Sequence, residues 1–212
     1  MTGMFRGCTN LKEIKGLNNF ITDKVTNMRA MFYDCSNLIS IDLSSFKTDK
    51  VIDMTGMFYG CTNLKEIKGL NNFITDNVTD MESMFYNCSN LISLDLSNFI
   101  TDKVTQMNHM FYGCTNLKEI KGLNNFITDK VTNMECMFYE CSNLISLDLS
   151  NFKTDKVSKM NHMFHGCTNL KELNINNFTI MKDCKMDDIF KEIDKKKCKL
   201  IAQDKIIENL FK

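Results

Sequence analysis

The sequence predicts an α/β solenoid, and three observations carry that prediction. A Met-Phe pair returns seven times, at Met4-Phe5, Met31-Phe32, Met57-Phe58, Met84-Phe85, Met110-Phe111, Met137-Phe138 and Met163-Phe164, with steps alternating between 27 and 26 residues. A cysteine follows each phenylalanine by three residues: Cys8, Cys35, Cys61, Cys88, Cys114, Cys141 and Cys167. Within each unit a stretch with helical apolar spacing gives way to a short stretch with alternating spacing. A period in this range marks an array in which each unit buries its apolar side only against its neighbours.

One unit shows the expected local structure. In residues 22–46, Val25, Met28, Met31, Phe32 and Cys35 fall on one helical stripe. Thr22 and Asp23 stand where a side-chain oxygen caps a first turn. Ser36-Asn37 is a turn pair that ends the stripe. Leu38, Ile41, Leu43 and Phe46 follow, and the Ile-Asp-Leu at 41–43 alternates in, out, in, as a short strand does. Each unit therefore reads as helix, turn and strand, with the strands stacked in parallel and helices covering one side. The alternation in length follows a glycine: Gly16, Gly69 and Gly122 lengthen units one, three and five, where they mark a bulge or turn.

The repeats run over residues 1–178, about seven tandem units of 26 or 27 residues. Met1 matches the inner methionine of a unit (compare MTGMFRGCTN with MTGMFYGCTN at 54–63), so the first unit starts partway. This start fits either a piece of a longer array or an end that something else covers, and it leaves an apolar end open to self-association. Residues 179–212 depart from the pattern. Asp187 and Asp188 precede Ile189, Phe190 and Ile193, Lys195–Lys197 follow, and Ile206, Ile207, Leu210 and Phe211 make a second apolar group. Acid before base suits a helix dipole, and the segment is expected to form a helical C-terminal cap.

Composition narrows the function classes. The chain holds 26 basic and 26 acidic residues, which gives no electrostatic footprint for nucleic acid or an anionic membrane. No apolar run approaches the roughly 20 residues of a transmembrane helix, and the N-terminus lacks the regions of a secretory signal. Seven of ten cysteines share one repeat position, which reads as a small buried apolar site, with partial disulfides as the alternative. Nothing resembles a phosphate loop or a nucleophile elbow, and the carboxylates recur in register so that no acid/base pair stands apart. No cofactor is expected and no enzyme activity.

The unit as a whole, DKVTQMNHMFYGCTNLKEIKGLNNF at 102–126, resembles the 26-residue surface-protein repeat of the BspA-like leucine-rich repeat family. The resemblance covers about residues 1–178. It implies a right-handed superhelix with a parallel β-sheet on the concave side and short helices on the convex side. It also implies bacterial or protist surface proteins used for adhesion and partner binding.

The candidate binding residues follow from the repeat register. The outward strand position reads Lys15, Asp42, Lys68, Asp95, Lys121, Asp148 and Asn174, a row whose alternating signs either relieve like-charge repulsion between strands about 4.8 Å apart or recognise a mixed-charge partner. A second row, after each Phe, holds Tyr33, Tyr59, Tyr86, Tyr112 and Tyr139, which either packs between neighbours or presents an aromatic surface. Cys136 differs from its repeat equivalents and is expected to be an exposed thiol. His162, His165 and Cys167 have a loosely ligand-like spacing, but Cys167 belongs to the buried row, so no metal site is expected. The function expected is a noncatalytic module that presents a preformed strand face to a protein, matrix or host-cell partner at the cell surface or after secretion. The alternative is an intracellular scaffold.

Overall fold

The computed structural model describes residues 1–212. The chain winds as a parallel solenoid with seven three-residue strands: β1 Ser40–Asp42, β2 Glu66–Lys68, β3 Ser93–Asp95, β4 Glu119–Lys121, β5 Ser146–Asp148, β6 Glu172–Asn174 and β7 Lys199–Ile201. Strands pair in register one repeat apart: Ile41 opposite Ile67, Leu94 opposite Ile120, Leu147 opposite Leu173 and Leu173 opposite Leu200. The expected parallel stack is present, and β7 carries it past the seventh repeat.

The strand ladder is not continuous. It closes as β1-β2, β3-β4 and β5-β6-β7. The gaps follow β2 and β4, the two strands that run into Gly69 and Gly122. Both glycines are left-handed, at φ 77° and 86°, and each opens a three-residue 3-10 turn, Leu70–Asn72 or Leu123–Asn125. A Cβ on Gly69 would fall on the backbone of Ser44, and one on Gly122 on the backbone of Ser97. A second ladder bridges every gap: Asn27, Asp53, Asp80, Gln106, Asn133, Lys159 and Lys185 form parallel bridges in unbroken succession.

The expected helices on the return path are not formed. Residues 28–38 and their equivalents are runs of overlapping turns. The backbone donors alternate. Met31, Tyr33 and Cys35 donate back three residues within the coil, to Met28, Ala30 and Phe32, at 3.1–3.2 Å, while Phe32 and Asp34 donate to Met57 and Tyr59 of the next coil, at 2.9 and 2.6 Å. A helix would use every donor within its own segment. Left-handed residues prevent that here: Ala30 and Asp34 have φ of 52° and 55°, and their equivalents Ser83, Asn87, Cys136 and Glu140 lie in the same region. Consecutive three-residue turns place Met28, Met31 and Cys35 on one side, as a helix would, and so imitate its stripe. The only α-helix is α1, Lys205–Leu210.

Stacked identical side chains fill the interior. Phe5, Phe32, Phe58, Phe85, Phe111, Phe138, Phe164 and Phe190 stack successively at 5.4–5.9 Å between centroids. Phe190 thus occupies the repeat position in an eighth, degenerate coil. Truncating a fully buried member such as Phe85 to alanine removes about 3–5 kcal/mol. Thr22 does not cap a helix. Its buried hydroxyl accepts from Lys47 N–H at 2.7 Å in the next coil, and Thr48 both accepts from Ile74 N–H and donates to Ile74 O, at 2.7 and 3.0 Å. At the end of the chain, Asp204 caps α1 through the Ile206 and Ile207 amides, Ile207 is buried, and Phe211 meets Phe190 edge-on at 5.2 Å.

The cysteine row is a row of free, buried thiols from Cys35 to Cys167. Each donates to a phenylalanine carbonyl of the preceding coil, as Cys61 does to Phe32 and Cys114 to Phe85, both at 3.1 Å. Burial pushes Cys35 up to about 11 and Cys114 up to about 12. Cys136 is buried as well, and burial, assisted by Glu135, pushes it to about 11. At 8% exposure, the expectation of an exposed thiol is corrected.

Three outcomes are expected. A thiol reagent should label Cys8 quickly and Cys184 more slowly in the native protein, and the buried row only on unfolding; peptide mapping of the alkylated chain reads this directly. Because the folded thiols hold their protons more tightly than unfolded ones, their contribution is fully present below about pH 8.5 and is lost as pH rises toward the raised folded values. Denaturant midpoints should accordingly fall between pH 9 and 11. Separately, Gly122→Ala should destabilise by about 1 kcal/mol or more beyond Gly16→Ala. Both positions are left-handed, but an added Cβ at Gly16 meets only Asn19, at 3.6 Å.

Candidate functional site

The strand face is built from the two outward rows that each short strand leaves on either side of its buried central residue. Ile41, Leu94 and Leu147 point in, while Ser40 and Asp42, Ser93 and Asp95, Ser146 and Asp148 point out. Period-two alternation and parallel register place each outward side chain beside its equivalent one coil away.

Six of the seven residues of the predicted strand row end strands β1–β6, whereas Lys15 lies in a turn, because the first coil forms no strand. Lys15, Asp42, Lys68, Asp95, Lys121 and Asp148 are exposed, and Asn174 is half-buried. In register, Asp42 lies opposite Lys68, Asp95 opposite Lys121, and Asp148 opposite Asn174. The row is broken into pairs, because the ladder opens between Lys68 and Asp95 and between Lys121 and Asp148. No Asp-Lys ion pair closes within a pair of this row, and Lys15 turns to Glu13 at 3.1 Å. The carboxylates have another task. Asp42 Oδ1 accepts from Ser44 N–H at 3.0 Å and Asp95 Oδ1 from Ser97 N–H and Oγ–H at 3.1 and 2.6 Å. Hydrogen bonding from Ser44 and Ser97, by the hydroxyl first and then the amide, holds both carboxyls below the usual carboxylate range more than the neighbouring lysines do. The aspartates thus fix the turns after β1, β3 and β5, and Lys68 and Lys121 stand free.

Where the ladder opens between β4 and β5, a cleft of about 330 Å³ forms, lined among others by Lys118, Lys121, Asn124, Ser146 and Asp148. Beside it runs a row that sequence reasoning left out. Ile39, Ile92 and Ile145 are 46–53% exposed, at the position that is lysine in the alternate coils: Lys12, Lys65 and Lys118. The signal was present in the repeated Asn-Leu-Ile-Ser, where one of two adjacent apolar residues must face outward. The face therefore presents alternating isoleucine and lysine, then serine and glutamate, then aspartate and lysine.

The tyrosine row lies on the turn side. Tyr33, Tyr59, Tyr86, Tyr112 and Tyr139 stack face to face at 4.3–4.5 Å, closer than the phenylalanines and near the spacing of the backbone ladder. Each ring is half-buried. The Arg6 guanidinium lies 4.7 Å from the Tyr33 centroid and His165 continues the stack beyond Tyr139 at 4.7 Å. Burial and the neighbouring phenols raise the pKa of Tyr59, Tyr86 and Tyr112. The rings pack on one another while each keeps part of its surface accessible to solvent. No helix is long and apolar enough to cross a membrane.

Comparison with known proteins agrees with the repeat architecture. The family described as "Mycoplasma protein of unknown function, DUF285" matches residues 1–119 and again 90–203. No curated protein matches. Among solved structures, a leucine-rich repeat protein from Bacteroides ovatus is 16% identical, with a TM-score of 0.49 over 97% of this chain and 66% of that one. A leucine-rich cell surface protein from Faecalibacterium prausnitzii is 17% identical, with a TM-score of 0.45 over 98% of this chain and 64% of that one. The chain spans about two thirds of the length of each. With the family model matched along nearly the whole sequence and the BspA-like resemblance borne out, the chain belongs to the DUF285 family.

Proposed function

We propose that this chain is a noncatalytic protein-binding and adhesion module that presents its strand face, preformed, to a protein or extracellular-matrix partner on a host-cell surface. The observation that carries this reading is the register. Exposed side chains recur at fixed positions on a backbone held coil to coil, as Asp42 is set opposite Lys68 and Asp95 opposite Lys121. A surface already ordered loses little conformational freedom on binding. Isoleucines 39, 92 and 145 supply apolar contact between lysines, and the cleft between β4 and β5 supplies depth. The strand row is the primary site and the tyrosine row the secondary one. The cell surface or the secreted fraction is the location that suits this role.

A second reading, an intracellular scaffold, is favoured by one observation. All ten cysteines are free thiols, a state that suits a reducing compartment. Protease treatment of intact source cells separates the two: surface digestion of the repeats supports adhesion, and full protection supports the scaffold.

The face itself is tested by charge reversal, and the lysines are the positions to change. Reversing the aspartates would also remove the turn bonds to Ser44 and Ser97. Lys68→Glu with Lys121→Glu should leave the thermal melt within a few degrees of the parent. The same change should abolish saturable retention on immobilised collagen, fibronectin or fixed epithelial cells. Retention undiminished by the double change would remove the strand face from the account, and would direct attention to the tyrosine row.

A further inference from the structure

The turn side ends differently from how it begins. Its central row is tyrosine through five coils and then becomes His165 in the seventh. The left-handed position three residues earlier, which is Ala30, Gly56 and Ser83 in earlier coils, is His162 here and Asp188 in the next coil, with φ of 56° and 52°. The inter-coil ladder, including His162 N–H to Asp187 O at 2.8 Å, sets these two residues side by side. His162 Nδ1 comes to 4.0 Å from Asp188 Oδ2. One donor atom from each of His162, His165 and Asp188 lies within 4.8 Å of the other two.

The second observation concerns satisfaction. His165 is 7% exposed, and its Nδ1 is buried without a hydrogen-bond partner. The Nδ1 of His162 is likewise buried and unpartnered. Two unsatisfied imidazole nitrogens in one small cluster need an explanation, since buried polar atoms nearly always have partners. Carboxylates complete the surroundings. Glu192 Oε1 lies 3.6 Å from His165 Nε2, and Glu140, His165 and Glu192 form an overlapping group of three donors. One cation opposes them, Lys191, whose Nζ holds Asp188 Oδ2 at 3.1 Å.

We propose that His162, His165 and Asp188 form a binding site for one divalent transition-metal ion of the zinc class. Imidazole nitrogens with a carboxylate oxygen suit such an ion, and three protein ligands leave a position for water or for Glu192. Side-chain rotation at the half-buried His162 and the exposed Asp188 brings the donors to coordination distance, about 2.0–2.2 Å from the ion. The Lys191 ammonium then gives up that oxygen, with Glu140 and Glu192 balancing the added charge. The ion joins the seventh coil to the eighth, where the repeat sequence is weakest. Asp188 was invisible as a ligand in the sequence because it belongs to a coil whose repeat signature had decayed, whereas Cys167, the apparent third ligand, faces inward and bonds Phe138 O.

The test uses the full chain with Cys8→Ser and Cys184→Ser, which removes the two reachable thiols. Zn2+ titrated calorimetrically should bind at one equivalent. Co2+ should give visible d–d absorption without the near-ultraviolet band of a cobalt thiolate. His162→Asn and Asp188→Asn suit the left-handed backbone at these positions, so their melts in EDTA should match the parent. Each should weaken Zn2+ binding by about tenfold or more, at least the loss seen when only a second-shell partner is removed. No zinc uptake by the parent, a thiolate band with Co2+, or uptake undiminished in both variants would each overturn the proposal.

Discussion

The backbone hydrogen bond between coils is the constraint on which the rest of the molecule depends. In the turn segment alternate donors leave the coil, as Phe32 does to Met57, Phe58 to Met84 and Phe85 to Met110, all at 2.9 Å. Once these bonds form, every residue sits above its equivalent 26 or 27 positions on. Side chains then have only the choice of stacking on their own kind or of leaving the interior. Phenylalanine stacks, threonine hydroxyls bond to the neighbouring backbone, and thiols donate to the carbonyl below. The threonine and cysteine rows bond their polar atoms to a neighbouring coil, as Thr48 does to Ile74 and Cys61 to Phe32, which is what a buried backbone segment without helix or long strand requires.

The same constraint divides the surface into residues that hold the fold and residues that are free. The aspartates of the strand row belong to the first kind, since Asp42 and Asp95 tie the turn that follows them. Lys68 and Lys121 belong to the second, as do the exposed isoleucines beside them. The alternation of a 27-residue with a 26-residue coil makes the recurring structural unit a pair. A cleft lies where one such pair, ending at β4, meets the next.

Much of this was legible in the sequence, and the exceptions have physical causes. Period, parallel register, buried thiols and the glycine turns at Gly69 and Gly122 all follow from composition at repeated positions. The helix expected over residues 25–35 does not form, because three-residue turns and a helix share the i, i+3 spacing. The discriminating signal was elsewhere. The positions of Asp34, Gly60, Asn87, Gly113 and Gly166 are rich in residues that tolerate positive φ, which an uninterrupted helix would avoid. Of the candidate site, the strand and tyrosine rows were read from register alone. The isoleucine row was not, because apolar residues are expected to face inward. Nor was the role of the aspartates, because their partner is a backbone amide two residues away rather than a charge across the ladder.

Far-ultraviolet circular dichroism of the native chain tests the central claim most directly, since a helix in every coil and an inter-coil ladder of turns differ most in helical signal. The account predicts a weak helical contribution, consistent with the six residues of α1 and three short 3-10 turns. A strong double minimum at the helical wavelengths, lost cooperatively with the fold, would show that the return segments are helices and would contradict the inter-coil ladder.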